Sequence, residues 1–256
     1  MTDNPTVSIA EAKFVDREVN GKYTVKMPLA LALEGRWDNW ERARFQSMHG
    51  NLRKGDVLFD VGAETGAMSA IYAQFVGPES MCLFESNPDN WQNIFATWQE
   101  MGYPNPKATV CALVGRQTSA APNPDFNTLQ TDGWPDVART GRIWTPRSFR
   151  YLHEHTAGTP QISLDDFCAH TGIVPNGITI DVEGAEREVL EGARNVLIGA
   201  HPHLWVSIHT ELAKRDYNRS DIIGDVADLI QSVGGYIPFA LGIDHEHHSY
   251  FRPRTA

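Results

Sequence analysis

Two acids at the ends of short apolar runs carry the first chemical signal. Leu58-Phe59-Asp60-Val61-Gly62-Ala63-Glu64-Thr65-Gly66 runs from apolar residues into an acid, then two glycines spaced G-x-x-x-G, then a helix-like stretch. In a doubly wound sheet, ligands bind beyond the carboxyl ends of the strands. Gly62 there would let the backbone approach a ligand, and Gly66 would permit tight packing at the helix start. The nicotinamide fingerprint G-x-G-x-x-G seats a pyrophosphate on a helix N-terminus. Asp60 holds its first position here and would repel a pyrophosphate. An acid suits a ligand ending in an ammonium, which favours S-adenosylmethionine. Leu83-Phe84-Glu85 ends in an acid 23 residues after Gly62, where a carboxylate accepts hydrogen bonds from ribose hydroxyls. Either acid alone could be a plain strand-end charge. Their joint occurrence argues against that.

A second group lies further on. Asp181 follows the run Ile178-Thr179-Ile180 and His209 follows Leu204 to Ile208, with Glu183 and Glu211 two residues beyond each. If both runs are neighbouring parallel strands, Asp181 and His209 meet at the ligand rim. His209 as a general base, with a carboxylate stabilising its imidazolium, comes first. Next comes a bland reading, in which Asp181 caps a turn and His209 satisfies a loop carbonyl. A divalent metal on Asp181, Glu183 and His209 comes third and is not favoured, because a lone His with few fixed oxygens makes a poor magnesium site.

The elements that must position these residues alternate. Strand runs at Val57–Phe59, Met81–Phe84, Ala108–Val114, Ile178–Ile180 and Leu204–Ile208 are separated by helical patterns at 66–75, from Asn87 onward, at 185–196 and at 221–233. A hairpin at 236–240 and 249–251 closes the chain. This is the pattern of an α/β doubly wound parallel sheet. Trp91, Ile94, Phe95 and Trp98 share one helix face. Residues 1–20 are polar and expected to be loosely held. Tyr23–Leu33 alternates like a strand broken at Pro28, and 36–49 is expected to be one helix with Trp37, Trp40, Arg44 and Phe45 on or near one face, its aromatics packing in the core rather than forming a ligand site, and Gly50 as its stop. We divide the chain into an N-terminal extension, 1–50, and a domain, 51–256. Within the domain, Gly115–Pro160 carries five prolines and four glycines with weak periodicity, as a substrate-side insertion or a plain surface loop would.

With these motifs in order, the chain resembles the FkbM-type methyltransferases, over roughly residues 56 to 253. The resemblance rests on FDVGAETG at 59–66, FESNP at 84–88, ISLDDF at 162–167 and IDVEGAEREVLEGA at 180–193. It implies the class I Rossmann-like fold of seven strands, the last antiparallel. It implies O-methylation by S-adenosylmethionine of a small-molecule or sugar hydroxyl. The expected cofactor-binding residues are Asp60, Gly62, Ala63, Glu64, Gly66, Glu85 and Ser86, and the expected catalytic pair is His209 with Asp181. The family usually carries Asn where this chain has Glu64. The competing functions are a non-catalytic binding protein on the same fold, or transfer to a nitrogen.

Composition excludes other classes. The chain has 256 residues and a formal net charge of −10. That disfavours nucleic acid and anionic membranes, which need a basic face. No apolar run is long enough for a membrane helix, and Met1–Pro5 lacks a secretory start. The three cysteines, Cys82, Cys111 and Cys168, have no paired metal spacing. They suit reduced thiols in a cytoplasmic protein. G-x-S-x-G and P-loop motifs are absent. Ten histidines is a high number, and for most of them a surface or core place is the simpler expectation. The oligomeric state is left open, a homo-oligomer included.

Overall fold

Runs of apolar residues with no polar alternation must be covered on both faces, and the centre of this protein is built from them. The computed structural model describes residues 6–8, 13–116, 133–135, 138, 142–144, 160–243 and 246–254. Its strands are β1 (Thr6–Ser8), β2 (Phe14–Val19), β3 (Tyr23–Pro28), β4 (Leu58–Val61), β5 (Met81–Phe84), β6 (Ala108–Val110), β7 (Leu113–Val114), β8 (Arg142–Trp144), β9 (Gln161–Ile162), β10 (Gly177–Ile180), β11 (His203–Ile208), β12 (Tyr236–Ile243) and β13 (His247–Pro253). Every residue of β4, β5 and β10 is buried.

Seven strands form one sheet in the order β12-β13-β11-β10-β4-β5-β6. β11, β10, β4, β5 and β6 run parallel, and β13 is antiparallel to both of its neighbours. The expected α/β sheet with one antiparallel strand is therefore present. Chain order reverses between β4 and β10. Ligand crevices open at such switch points, and here Asp60–Gly62 and Asp181 flank it.

Several local expectations are corrected. Residues 14–19 form β2, an antiparallel partner of β3, because pairing with β3 buries Val19. The expected helix over 36–49 is two pieces, a 3₁₀ turn Gly35–Asp38 and a helix Arg42–Asn51. Glu41 breaks it with a left-handed backbone, φ 42°, and Gly50 lies inside the second piece. The stretch 185–196 also splits, into Glu186–Glu191 and Arg194–Ala200. The third strand is interrupted after Val110. Asn87 does not cap the following helix, Asn90–Glu100; its side chain accepts from the Asp89 N–H at 3.0 Å in a turn before it. Helices at Leu164–Thr171 and Thr210–Tyr217 were not expected from periodicity. Most of 115–160 lies outside the described residues. Within it Trp134 is buried against Phe95 and Trp98.

The N-terminal segment shares the main core. Tyr23 and Phe45 pack on Phe75 and Tyr72 of the helix Ala67–Val76, at centroid distances of 5.3 and 5.6 Å. That packing fixes the helix Arg42–Asn51 against the sheet, and so places Arg44. Cys82 is buried, and Cys111 and Cys168 are partly so; all three are free thiols. Among the described residues no helix is long and apolar enough to cross a membrane.

Candidate active site

The loop after β4 is held by its neighbours. The N–H groups of Gly62 and Ala63 both donate to the Phe84 carbonyl, at 2.9 and 3.1 Å. Gly62 has φ 95°, and a Cβ there would overlap the Asp181 carbonyl. The glycine thus makes room for a neighbouring strand end, and it also lines a cleft open to solvent. A Cβ on Gly66 would stand 2.8 Å from the Ile94 Cα, so its role in close helix packing is as expected. Asp60 is buried and accepts from the Ser69 hydroxyl at 2.5 Å. Burial pushes its carboxyl up to about 6, against that hydrogen bond and the nearby Arg44.

Glu64 and Glu85 are joined. The Glu64 N–H donates to Glu85 Oε2 at 2.8 Å, and the Asn87 N–H donates to Glu85 Oε1 at 2.7 Å. Burial lifts Glu85 to about 7 despite these bonds. Glu64 has a left-handed backbone, φ 48°. Asn tolerates that conformation better than Glu. The Glu64 side chain is open to the solvent of the cleft but enclosed by protein, and desolvation raises it to about 7, with Arg36 opposing.

The sequence did not signal Arg44. It is 2% exposed and reaches the strand ends from the helix Arg42–Asn51. Nη1 donates to Glu41 Oε2 (2.8 Å), Ser207 Oγ (2.5 Å) and Asp181 Oδ2 (3.3 Å), and Nη2 donates to Thr179 Oγ1. A buried cation is sustained only by such partners.

Asp181 and His209 do meet. His209 is buried, with Nε2 3.5 Å from Asp181 Oδ1, 3.7 Å from Glu183 Oε2 and 2.9 Å from Glu246 Oε1. On the other side of the ring, Nδ1 pairs with Glu186 Oε1 at 2.8 Å. The premise of few fixed oxygens is therefore not met. Glu211 lies exposed on the helix Thr210–Tyr217, and Glu186 and Glu246 stand where it was expected. Burial favours the neutral imidazole, but the surrounding carboxylates outweigh it and hold His209 up to about 12. Burial raises Glu183 to about 7, with His209 opposing. Of the C-terminal histidines, His248 pairs with Ser207 Oγ at 3.0 Å, and His245 lies outside the described residues.

This cleft gathers most of these groups, with His209 and Glu186 lying behind its wall. Asp60–Thr65, Glu85 and Ser86 line it together with Asp181, Glu183 and Glu246. Arg36, Trp37 and Trp40 of the N-terminal segment form a further wall. Arg36 lies 4.6 Å from the Trp37 ring and 4.3 Å from the Trp40 ring. The expected core role of Trp37 and Phe45 holds, since both are buried, while Trp40 is only partly covered and faces the cleft.

A mostly parallel seven-stranded sheet, with an acid-glycine loop after its first central strand and an acid ending the next, defines a Rossmann-like methyltransferase fold. The chain belongs to the FkbM methyltransferase family: the model for the methyltransferase FkbM domain matches residues 60–237. Similar solved structures include a methyltransferase FkbM from Methylobacillus flagellatus, 17% identical, covering 81% of this chain and 50% of that one, with a TM-score of 0.48. TYW2 of M. jannaschii, solved in complex with AdoMet, is 12% identical over 95% of this chain and 88% of its own, with a TM-score of 0.45. Fibrillarin of Aeropyrum pernix, with natively bound S-adenosyl-L-methionine, is 10% identical over 97% and 85%, with a TM-score of 0.46. This chain spans half the length of the Methylobacillus protein. No curated protein matches it.

Proposed function

We propose that this protein transfers a methyl group from S-adenosylmethionine to a hydroxyl oxygen of a small-molecule or sugar acceptor. The reading is carried by one observation: the Glu64–Glu85 pair and the Asp181–Glu183–Glu246 group line the same cleft. The donor set fits this cofactor. Asp60, Glu64 and Glu85 are carboxyls raised by enclosure, and a ligand with sulfonium and ammonium charges would stabilise their ionised forms. Glu85, Gly62, Ala63, Glu64, Gly66, Ser86 and Asp60 are the residues assigned to hold it. Held by these residues, S-adenosylmethionine would supply an activated methyl group on a sulfonium, with the sulfur as the leaving group for an acceptor oxygen.

The chain's own residues supply the rest. Trp37, Trp40 and Arg36 offer flat and cationic surface against which a ring or sugar can stack. Asp181, which lines the cleft with His209 3.5 Å behind it, is assigned to the acceptor end, where the hydroxyl proton must be removed. Holding the acceptor in line accounts for much of the rate gain in such displacements. Calorimetry with S-adenosylmethionine, followed by detection of S-adenosylhomocysteine over a panel of hydroxyl and amine acceptors, tests the reading. Binding with no release on any acceptor would support the non-catalytic alternative, and turnover on amines alone would move the acceptor to nitrogen.

A further inference from the structure

The surroundings of His209 Nε2 do more than orient an imidazole. Asp181, Glu183 and His209 each bring a ligand atom within 4.8 Å of the others. From Nε2 the carboxylate oxygens stand at 3.5 Å (Asp181), 3.7 Å (Glu183) and 2.9 Å (Glu246). Two atoms that share a divalent ion at about 2.1 Å stand about 3–4 Å apart, so these spacings are those of ligands around one ion. Nε2 itself is buried and has no hydrogen bond of acceptable geometry.

We propose that Asp181, Glu183 and His209, with Glu246 beside them, hold one divalent cation of the Mn²⁺ or Mg²⁺ type at the acceptor end of the cleft. The proposal rests on the methyl-transfer reading and refines it: His209 becomes a ligand through Nε2 rather than the acceptor of the hydroxyl proton. Two carboxylates and one imidazole, with a third carboxylate beside the imidazole, suit a hard to borderline ion better than a soft one.

The surrounding residues hold the ligands as a metal site requires. Glu186 is fully buried, accepts from the Gly184 N–H at 3.0 Å and pairs with His209 Nδ1 at 2.8 Å. A carboxylate on Nδ1 leaves the Nε2 lone pair directed at the ion, the usual arrangement behind a ligating histidine. Arg44 occupies Asp181 Oδ2, which leaves Oδ1 on the side of His209. An ion there would lower the pKa of a coordinated hydroxyl, whose proton then passes to solvent.

The test uses chelator-treated full-length protein, titrated with Mn²⁺ and followed by the electron paramagnetic resonance signal of the free ion. About one ion should bind per chain, Mn²⁺ more tightly than Mg²⁺ in competition. His209→Ala and the isosteric Glu183→Gln should each weaken binding at least roughly 10-fold, and Glu186→Gln, a positioning change, by roughly 10–100-fold. Circular dichroism would check that each variant is folded. S-adenosylmethionine affinity is measured in parallel. Wild-type protein that binds the cofactor but neither ion overturns the metal site and leaves the methyl-transfer reading standing. Stoichiometric Mn²⁺ binding unchanged in both His209→Ala and Glu183→Gln also overturns it, since the ion then sits elsewhere.

Discussion

Arg44 Nη1 donates to Asp181 Oδ2 at 3.3 Å, joining the N-terminal segment to the end of β10 across 137 positions of chain. The same guanidinium also binds Glu41, Ser207 and Thr179. One side chain thus fixes a flanking helix, two strand ends and one oxygen of the carboxylate beside His209.

Removing it should be costly. Arg44→Met leaves Glu41, itself 2% exposed, as a buried charge without its partner. Breaking one half of such a pair costs about 3–5 kcal/mol. Urea denaturation should show this loss. Adding Glu41→Gln to the variant should recover part of it, because the stranded charge is then gone. A single variant as stable as wild type would refute the account.

Glu85 should set cofactor affinity. Its two oxygens are fixed by the Glu64 and Asn87 amides, which leaves lone pairs for ribose hydroxyls. Glu85→Ala should weaken S-adenosylmethionine binding by about 1–3 kcal/mol. Titration calorimetry reads this directly. Equal affinity, or tighter binding of a nicotinamide nucleotide, would count against the cofactor assignment.

His209 should separate chemistry from cofactor binding. His209→Ala should lower turnover roughly 10²–10⁴-fold, because the acceptor hydroxyl then loses the group that helps it shed its proton, whether directly or through a held ion. Cofactor affinity should be unchanged, because His209 is not among the residues assigned to hold the cofactor. Full rate in this variant would remove His209 from the reaction centre.

The pH dependence of stability follows from the raised groups. Glu85 and Glu183 lie near 7 in the fold against an ordinary 4.5, so between these values the folded state binds more protons than the unfolded one. Stability therefore falls as pH rises through that window. His209, raised from 6.5 to about 12, contributes stability that is complete below about 6.5 and lost as pH rises above it. Both effects have the same sign. The melting temperature of chelator-treated, ligand-free protein should drop between pH 5 and pH 8. A cationic cofactor favours the ionised carboxylates, so its affinity should rise from pH 6 to pH 8, with Arg36, Asp181, Glu183 and Glu34 as the other charged groups facing Glu64. Calorimetry that finds the same affinity at the two pH values would show that Glu64 and Glu85 play no part.

The central sheet was legible because its signals are local. β5 was bounded to the residue, and β4 and β10 to within two residues at either end, because a fully buried strand needs an apolar run between turns and nothing more. Asp60, Gly62, Gly66 and Glu85 were legible for the same reason, as each sits at a fixed step beyond such a run. Helix breaks at Glu41 and at Gly192–Ala193 were not, since tertiary packing sets those backbone angles. Asp181 and His209 could be paired once parallel neighbours were assumed, since register alone brings two strand ends together. Their environment could not. Arg44, Glu186 and Glu246 come from a flanking helix, the start of another helix and the turn before β13, and nothing in their own neighbourhoods marks them as partners. The sequence by itself determined which strand ends bear the acids and the histidine proposed for chemistry. Only the tertiary structure decided the charge around them, because buried carboxylates and cations take their state from whichever distant side chains folding brings within a few ångströms.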